Sequence, residues 1–132
     1  IVPYGIDMSE KLIHLAKQRL PQYALNLFVG NAWYWKPHLG FDFVRSEMNA
    51  VPEELQKEYV TRLLDKFVLP SGKLLITEYR SSQDDFSKKW IDERLDEWGL
   101  KVAYSKSGFD AGKELTRVVV VHQPLQKKRK TW

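Results

Sequence analysis

The chain has 132 residues, 43% hydrophobic and 13% aromatic, which suits one compact domain with a real core and is too little for two. It has no cysteine, which excludes disulfides, thiolate metal sites and cysteine nucleophiles. No apolar run approaches the ~20 residues that cross a bilayer, so no membrane role is expected. The formal charge of +4 is local: Lys127, Lys128, Arg129 and Lys130 hold four of the 21 basic residues, leaving 17 against 17 acidic ones elsewhere. Residues 124–132 therefore read as a solvated basic tail on a neutral body, residues 1–123. Nucleic acid is not the expected partner, because a phosphate backbone calls for a basic face on the folded body. A cysteine-free chain fits a reducing compartment, and a cytoplasmic location is expected.

Residues 1–6 are short, apolar and β-prone. From Ser9 the period becomes helical, with Leu12, Ile13, Ala16 and Leu20 on one face. Asp7 or Ser9 can cap this helix, Glu10 suits its positive end, and Pro21 closes it. Leu25–Val29 predicts a second strand and Gly40–Val44 a third, followed by a polar turn, Arg45-Ser46-Glu47. Pro52-Glu53-Glu54 opens a long helix whose inner face is Leu55, Tyr59, Leu63 and Phe67, widened by Val60 and Leu64. Pro70-Ser71-Gly72 ends it, and Lys73–Tyr79 reads as a fourth strand. A third helix is expected from Asp84 or Asp85, with Phe86, Trp90, Leu95 and Trp98 inward and Gly99 as its stop. Lys101–Ser105 and Leu115–His122 are the last two strands.

The order β-α-β-β-α-β-α-β-β demands a mostly parallel sheet with helices on both faces, an α/β Rossmann-like fold. The last two strands have no helical pattern between them, so the final strand should turn back antiparallel. Opening on Ile1 within a strand, the sequence is expected to be part of a longer domain.

In such a sheet, ligands bind beyond the carboxyl ends of the strands. Those ends are Asp7 and Met8, then Asn31 and Ala32, then Arg45 and Ser46. An acid can accept both hydroxyls of a ribose, a carboxamide can meet a purine edge, and an apolar neighbour can cover its face. The three turns together hold the groups that an adenosine needs. Trp33, Tyr34 and Trp35 follow directly and read as core or lid packing. His14, His38 and His122 lack metal-ligand spacing, so no metal is expected. No side chain is assigned as a catalytic base.

Tyr4-Gly5-Ile6-Asp7-Met8-Ser9, Val29-Gly30-Asn31-Ala32, Phe41-Asp42-Phe43-Val44 and Leu69-Pro70-Ser71-Gly72-Lys73-Leu74-Leu75-Ile76 together resemble the class I S-adenosylmethionine-dependent methyltransferases. The resemblance spans residues 1 to about 123. It implies a sheet ending in an antiparallel strand, S-adenosylmethionine as cofactor and methyl transfer to a small molecule. It matches Asp7 to the acid on the ribose and Met8 to the residue on the adenine. Asn31 stands where the family usually has Asp facing the adenine amino group, and the Ala32 backbone would contact the ring. Arg45 and Ser46 match the strand end whose backbone approaches the methionine part.

The family's first strand, glycine-rich loop and first helix should precede Ile1, and none of the seven glycines here forms such a loop. The expectation is therefore an incomplete domain, inactive by itself, whose sheet is completed by a partner segment or an oligomer. Two other readings stand beside it. One is a nicotinamide-binding Rossmann domain, against which the antiparallel terminal hairpin argues. The other is a non-catalytic remnant using its basic tail on RNA or protein.

Overall fold

β1 (Gly5–Asp7) leads through α1 (Glu10–Arg19) to β2 (Leu27–Val29), and the two strands pair in parallel. These elements lie in the first of two compact units, Ile1–His38; the second begins at Leu39. The computed structural model describes residues 1–123, so the basic tail expected over 124–132 lies outside the described residues.

Ser9 is the N-cap of α1, its hydroxyl accepting from the Leu12 amide at 3.2 Å. The apolar stripe expected on this helix is narrower than its spacing suggests. Ile13 is buried and Ala16 half-buried, while Leu12 and Leu20 are exposed. Two three-residue strands offer a helix little apolar area. The strand expected from Leu25 starts at Leu27 instead. Pro21 opens a 3-10 helix over Pro21–Asn26, which leaves Leu25 exposed.

The second unit contains β3 (Phe41–Glu47), α2 (Glu53–Lys66), β4 (Val68–Tyr79), α3 (Ile91–Glu97), β5 (Val102–Asp110) and β6 (Lys113–His122). Its four-stranded sheet has the order β3-β4-β6-β5. β3 and β4 are parallel, and β6 runs antiparallel to both β4 and β5. This is the expected parallel arrangement closed by an antiparallel terminal hairpin. The hairpin turns through Ala111 (φ 48°) and Gly112 (φ 77°), the two positive φ angles that a tight two-residue turn requires.

Leu74 lies opposite Val121 and Ile76 opposite Val119, and all four side chains are essentially fully buried. Alternation puts them on one face of the sheet. Burying a Val, Leu or Ile side chain contributes about 1.5–3 kcal/mol, so this quartet is a large share of the core. α2 packs on β4 with Tyr59, Val60, Leu63 and Leu64 buried, while Leu55 at its edge is exposed. α3 packs on β5 and β6 through Ile91 and Leu95.

Several expected boundaries in this unit move: the strand expected over Lys101–Ser105 runs on to Asp110, and the last strand starts at Lys113 rather than Leu115. Arg45, Ser46 and Glu47 were predicted as a turn, yet they continue β3 opposite Leu75, Ile76 and Thr77. Their backbone groups gain ladder partners on β4, which outweighs their polar side chains. Pro70-Ser71-Gly72 is not a break before β4 but a bulge inside it. Phe41 pairs with Val68 and Phe43 with Lys73, so the intervening residues of β4 arch out of register. The third helix starts at Ile91, well after Asp84 and Asp85. Their carboxylates accept from the Ser81 amide at 2.6 Å and the Ser87 amide at 2.9 Å, closing local turns in place of a helix start. Phe86 is exposed and Trp98 half-buried as a result. Gly99 ends the helix as expected, with φ at 79°.

Candidate functional site

Parallel pairing of β1 and β2 brings their carboxyl ends side by side, and the Gly30 amide donates to the Asp7 carbonyl at 2.9 Å. The turn carrying Asp7 and Met8 is thereby tied to the turn carrying Asn31 and Ala32. All four predicted residues of this unit sit at one end of one small sheet. A side chain at Gly30 would press on Ile6 at 3.2 Å and Trp35 at 3.5 Å, so close packing holds the second turn against the first.

Because Ser9 serves as the helix cap, the carboxylate of Asp7 is only half used. Its Oδ1 accepts from the Ser9 amide at 2.8 Å, and its other oxygen takes no bond from a described residue. Asp7 is exposed, as is Met8 beside it. The Asn31 Oδ1 accepts from the Trp33 amide at 2.9 Å, which fixes the orientation of the carboxamide, and the residue is exposed. Since the oxygen is occupied by a backbone amide, Asn31 presents mainly donors. A donor suits a ring nitrogen of a purine better than its exocyclic amino group. Trp35 packs on Phe28, ring centroids 5.3 Å apart, while Tyr34 is exposed. The packing expected of this aromatic run holds for Trp35 and not for Tyr34.

In the second unit, Arg45 and Ser46 lie in β3 with side chains on opposite faces. The Arg45 Nη2 donates to the Tyr79 hydroxyl at 3.4 Å, and the Ser46 hydroxyl lies 3.0 Å from that of Tyr59 on α2. The Ser46 side chain is thus engaged by the helix. β3 pairs with β4 alone among the described residues, so its other backbone edge is open.

β3 and β4 end on the same side of the sheet, and beyond their carboxyl ends lies a cavity of about 370 Å³. Met48 and Asn49 line it just after β3, Glu78, Tyr79 and Arg80 at the end of β4, and Gln56 from α2. Arg80 is buried. Its guanidinium stacks on Trp90 at 3.8 Å and donates to the Lys88 and Lys89 carbonyls at 2.8 and 3.0 Å. Arg94 reaches the same cavity from α3 and pairs with Glu78 at 3.2 Å. None of these lining residues was singled out from the sequence. The strand-end rule applied to β4 as it was to β1, β2 and β3 would have reached Tyr79-Arg80; Gln56 and Arg94 depend on helix packing that no local pattern reveals.

Arg117 also lies over Trp90, 4.8 Å from the ring centroid, and is bound to Glu114 at 2.7 Å and to Asp92 at 2.7 Å. The Arg117 hydrogen bond, with help from Ser107, holds the Glu114 carboxyl below the ordinary glutamate value, against a smaller opposing push from burial. Among the described residues no group of three or more His, Asp and Glu side chains is placed to hold a metal ion.

No family model matches this sequence, and none of the curated proteins compared with it does. Solved structures do match. An rRNA methylase from Streptococcus thermophilus is 16% identical with a TM-score of 0.67, over 91% of this chain and 74% of that one. A TehB-like SAM-dependent methyltransferase from Corynebacterium glutamicum is 20% identical with a TM-score of 0.68, over 91% and 67%. The N-methyltransferase NodS from Bradyrhizobium japonicum, solved with S-adenosyl-L-homocysteine, is 14% identical with a TM-score of 0.63, over 90% and 65%. At these identities the shared property is the fold. The chain has the Rossmann-like fold of the class I S-adenosylmethionine-dependent methyltransferases.

Proposed function

We propose that this chain is the greater part of an S-adenosylmethionine-dependent methyltransferase domain acting on a small molecule in the cytoplasm. The observation that carries the proposal is the pair of tied turns at the carboxyl ends of β1 and β2, with a half-used carboxylate on Asp7 and an exposed Asn31 whose carboxamide oxygen is engaged. Asp7 would accept from the ribose hydroxyls, Met8 would cover one face of the adenine, Asn31 would donate to its edge and the Ala32 backbone would line the ring. These residues fit the nucleoside chemically. The donors and acceptors left over in the turns match those that an adenosine presents.

Arg45 and Ser46, on β3 of the second unit, enter the proposal only through the family resemblance, which matches their backbone to the part of the fold that approaches the methionine of the cofactor. When bound, the cofactor supplies an electrophilic methyl group. The contribution of the protein is to hold acceptor and methyl in line, which can account for most of such a rate acceleration. A small-molecule acceptor is favoured over RNA because the body of the chain is charge-balanced. We expect weak cofactor binding by the 132-residue chain, since its seven glycines form no turn over which a backbone could closely approach the methionine carboxylate.

Saturation-transfer NMR with S-adenosylhomocysteine and NAD+ tests this reading. Saturation of the adenine and ribose protons of S-adenosylhomocysteine, undiminished by equimolar NAD+, is expected. Displacement by NAD+ would give the site to a nicotinamide cofactor, and no saturation from either ligand would remove the nucleoside altogether.

A further inference from the structure

The cavity beyond β3 and β4 contains hydrogen-bonding capacity that the fold does not use. Three of its lining side chains each bury a polar atom without a partner: Gln56 Oε1, Arg80 Nη1 and Arg94 Nε. Gln56 and Arg80 are 6% and 9% exposed, so both are more than nine-tenths buried. Leaving such a group unpaired costs about 1–3 kcal/mol, and natural folds retain few of them.

The orientations are fixed. The Gln56 Nε2 donates to the Val51 carbonyl at 2.9 Å and lies 3.4 Å from that of Met48, so Oε1 must be the free end. Arg80 is held by Trp90 and by two carbonyls through Nη2, which leaves Nη1 as the unused arm. Of the carboxylates around the cavity, Glu53 is largely exposed and lies 3.9 Å from Arg94, while three are engaged by the fold, Asp84 and Asp85 through one oxygen each. Glu78 accepts from the Ile91 amide and from Arg94, Asp84 from the Ser81 amide, and Asp85 from Ser87. The buried atoms of the wall left without a partner are two guanidinium N–H groups and one amide oxygen.

We infer that this cavity seats the methyl acceptor, and that the acceptor is a small molecule carrying an oxyanion for Arg80 and Arg94 and an O–H or N–H hydrogen for Gln56. This rests on the methyltransferase reading for the word acceptor, but the binding chemistry stands on the cavity alone. A charged guanidinium N–H donates a short, strong hydrogen bond to a carboxylate or phosphate oxygen, one such donor being left on each arginine, and a volume of about 370 Å³ accommodates a metabolite-sized ligand. The Gln56 oxygen would receive the hydrogen of the hydroxyl or amino group and orient it.

The test uses the full chain with three probes: succinate, its neutral counterpart succinamide, and inorganic phosphate. The readouts are the side-chain resonances of Arg94 Nε–H and the Gln56 carboxamide in 1H–15N spectra. Saturable shifts with succinate or phosphate, at least tenfold weaker with succinamide, are expected, and the stronger of the two anions names the oxyanion. Arg94→Lys keeps a cation beside Glu78 while removing the planar donor, and should weaken the stronger anion at least fivefold. Should Arg94→Lys fail to fold, Gln56→Glu provides the second variant: a carboxylate facing the same space should repel both anions. Equal response to succinate and succinamide, or shifts only at exposed lysines, would overturn the inference. S-adenosylhomocysteine binding with no anion response sinks the acceptor site alone, whereas an anion response without S-adenosylhomocysteine binding keeps the oxyanion site and sinks the methyltransferase reading.

Discussion

The side chain of Asn49 completes the backbone of Tyr79: its Nδ2 donates to the Tyr79 carbonyl at 2.7 Å and its Oδ1 accepts from the Tyr79 amide at 2.8 Å. β3 has ended by that point, so a carboxamide stands in for the next peptide group of the neighbouring strand. This is how the rim of the cavity keeps its shape where the ladder stops. Asn49→Ala should therefore lower stability by about 1 kcal/mol, a modest figure because water reaches both backbone groups. Urea titration reads it, together with faster hydrogen exchange at the Tyr79 amide. Unchanged exchange there would show that the carboxamide does not hold the strand end.

Gly72 sits where β4 arches out of register with β3. A methyl group there would lie 2.9 Å from the Asp42 carbonyl oxygen and 3.0 Å from that of Leu69, contacts that backbone atoms cannot easily relieve. Gly72→Ala should cost about 1–3 kcal/mol through overpacking. Gly99→Ala is the comparison. It meets open space but must adopt a φ of 79°, so its cost is conformational, about 1 kcal/mol. Thermal melts of the two variants should differ, with Gly72→Ala the lower.

The carboxyl of Glu114 is held below its ordinary value of 4.5, chiefly by the hydrogen bond from Arg117. A group whose pKa is depressed on folding contributes stability above the unfolded value and loses it as pH falls through the folded one. Denaturation midpoints should fall as pH drops below about 4.5, and Glu114→Gln should flatten part of that decline while lowering stability at pH 7 by about 1–2 kcal/mol. An acid limb identical in the two proteins would remove Glu114 from the account.

The Ser46 hydroxyl, 3.0 Å from Tyr59 Oη, joins β3 to α2 across a largely apolar contact. Ser46→Ala should destabilise the fold by about 1 kcal/mol, read by denaturant unfolding. No loss would mean that the pair is replaced by water.

Periodicity and order read the sheet well where side chains alternate between core and solvent or helices follow a 3.6 period. The Val118–Val121 run, the α2 face and the antiparallel closure were legible for that reason. The sequence misled where backbone pairing overrode side-chain character. Arg45-Ser46-Glu47 looks like a solvated turn and is a strand, because β4 supplies a full set of partners. Asp84 and Asp85 look like helix caps and spend their carboxylates on local turns. At the candidate site, the strand ends expected to bring Asp7, Met8, Asn31 and Ala32 together do lie side by side. The cavity built on Gln56, Arg80 and Arg94 was not legible, since it depends on which helical residues meet a strand end far away in sequence.

The most direct measurement is the 1H–15N spectrum of the 132-residue chain titrated with S-adenosylhomocysteine to millimolar concentration, a range in which weak binding is still seen. The account predicts saturable shifts at the amides of Asp7, Met8 and Ser9 and at those of Gly30, Asn31 and Ala32, with Asp7→Ala weakening the response by about 1–3 kcal/mol. Resonances of these six residues that stay in place at saturating ligand would contradict it.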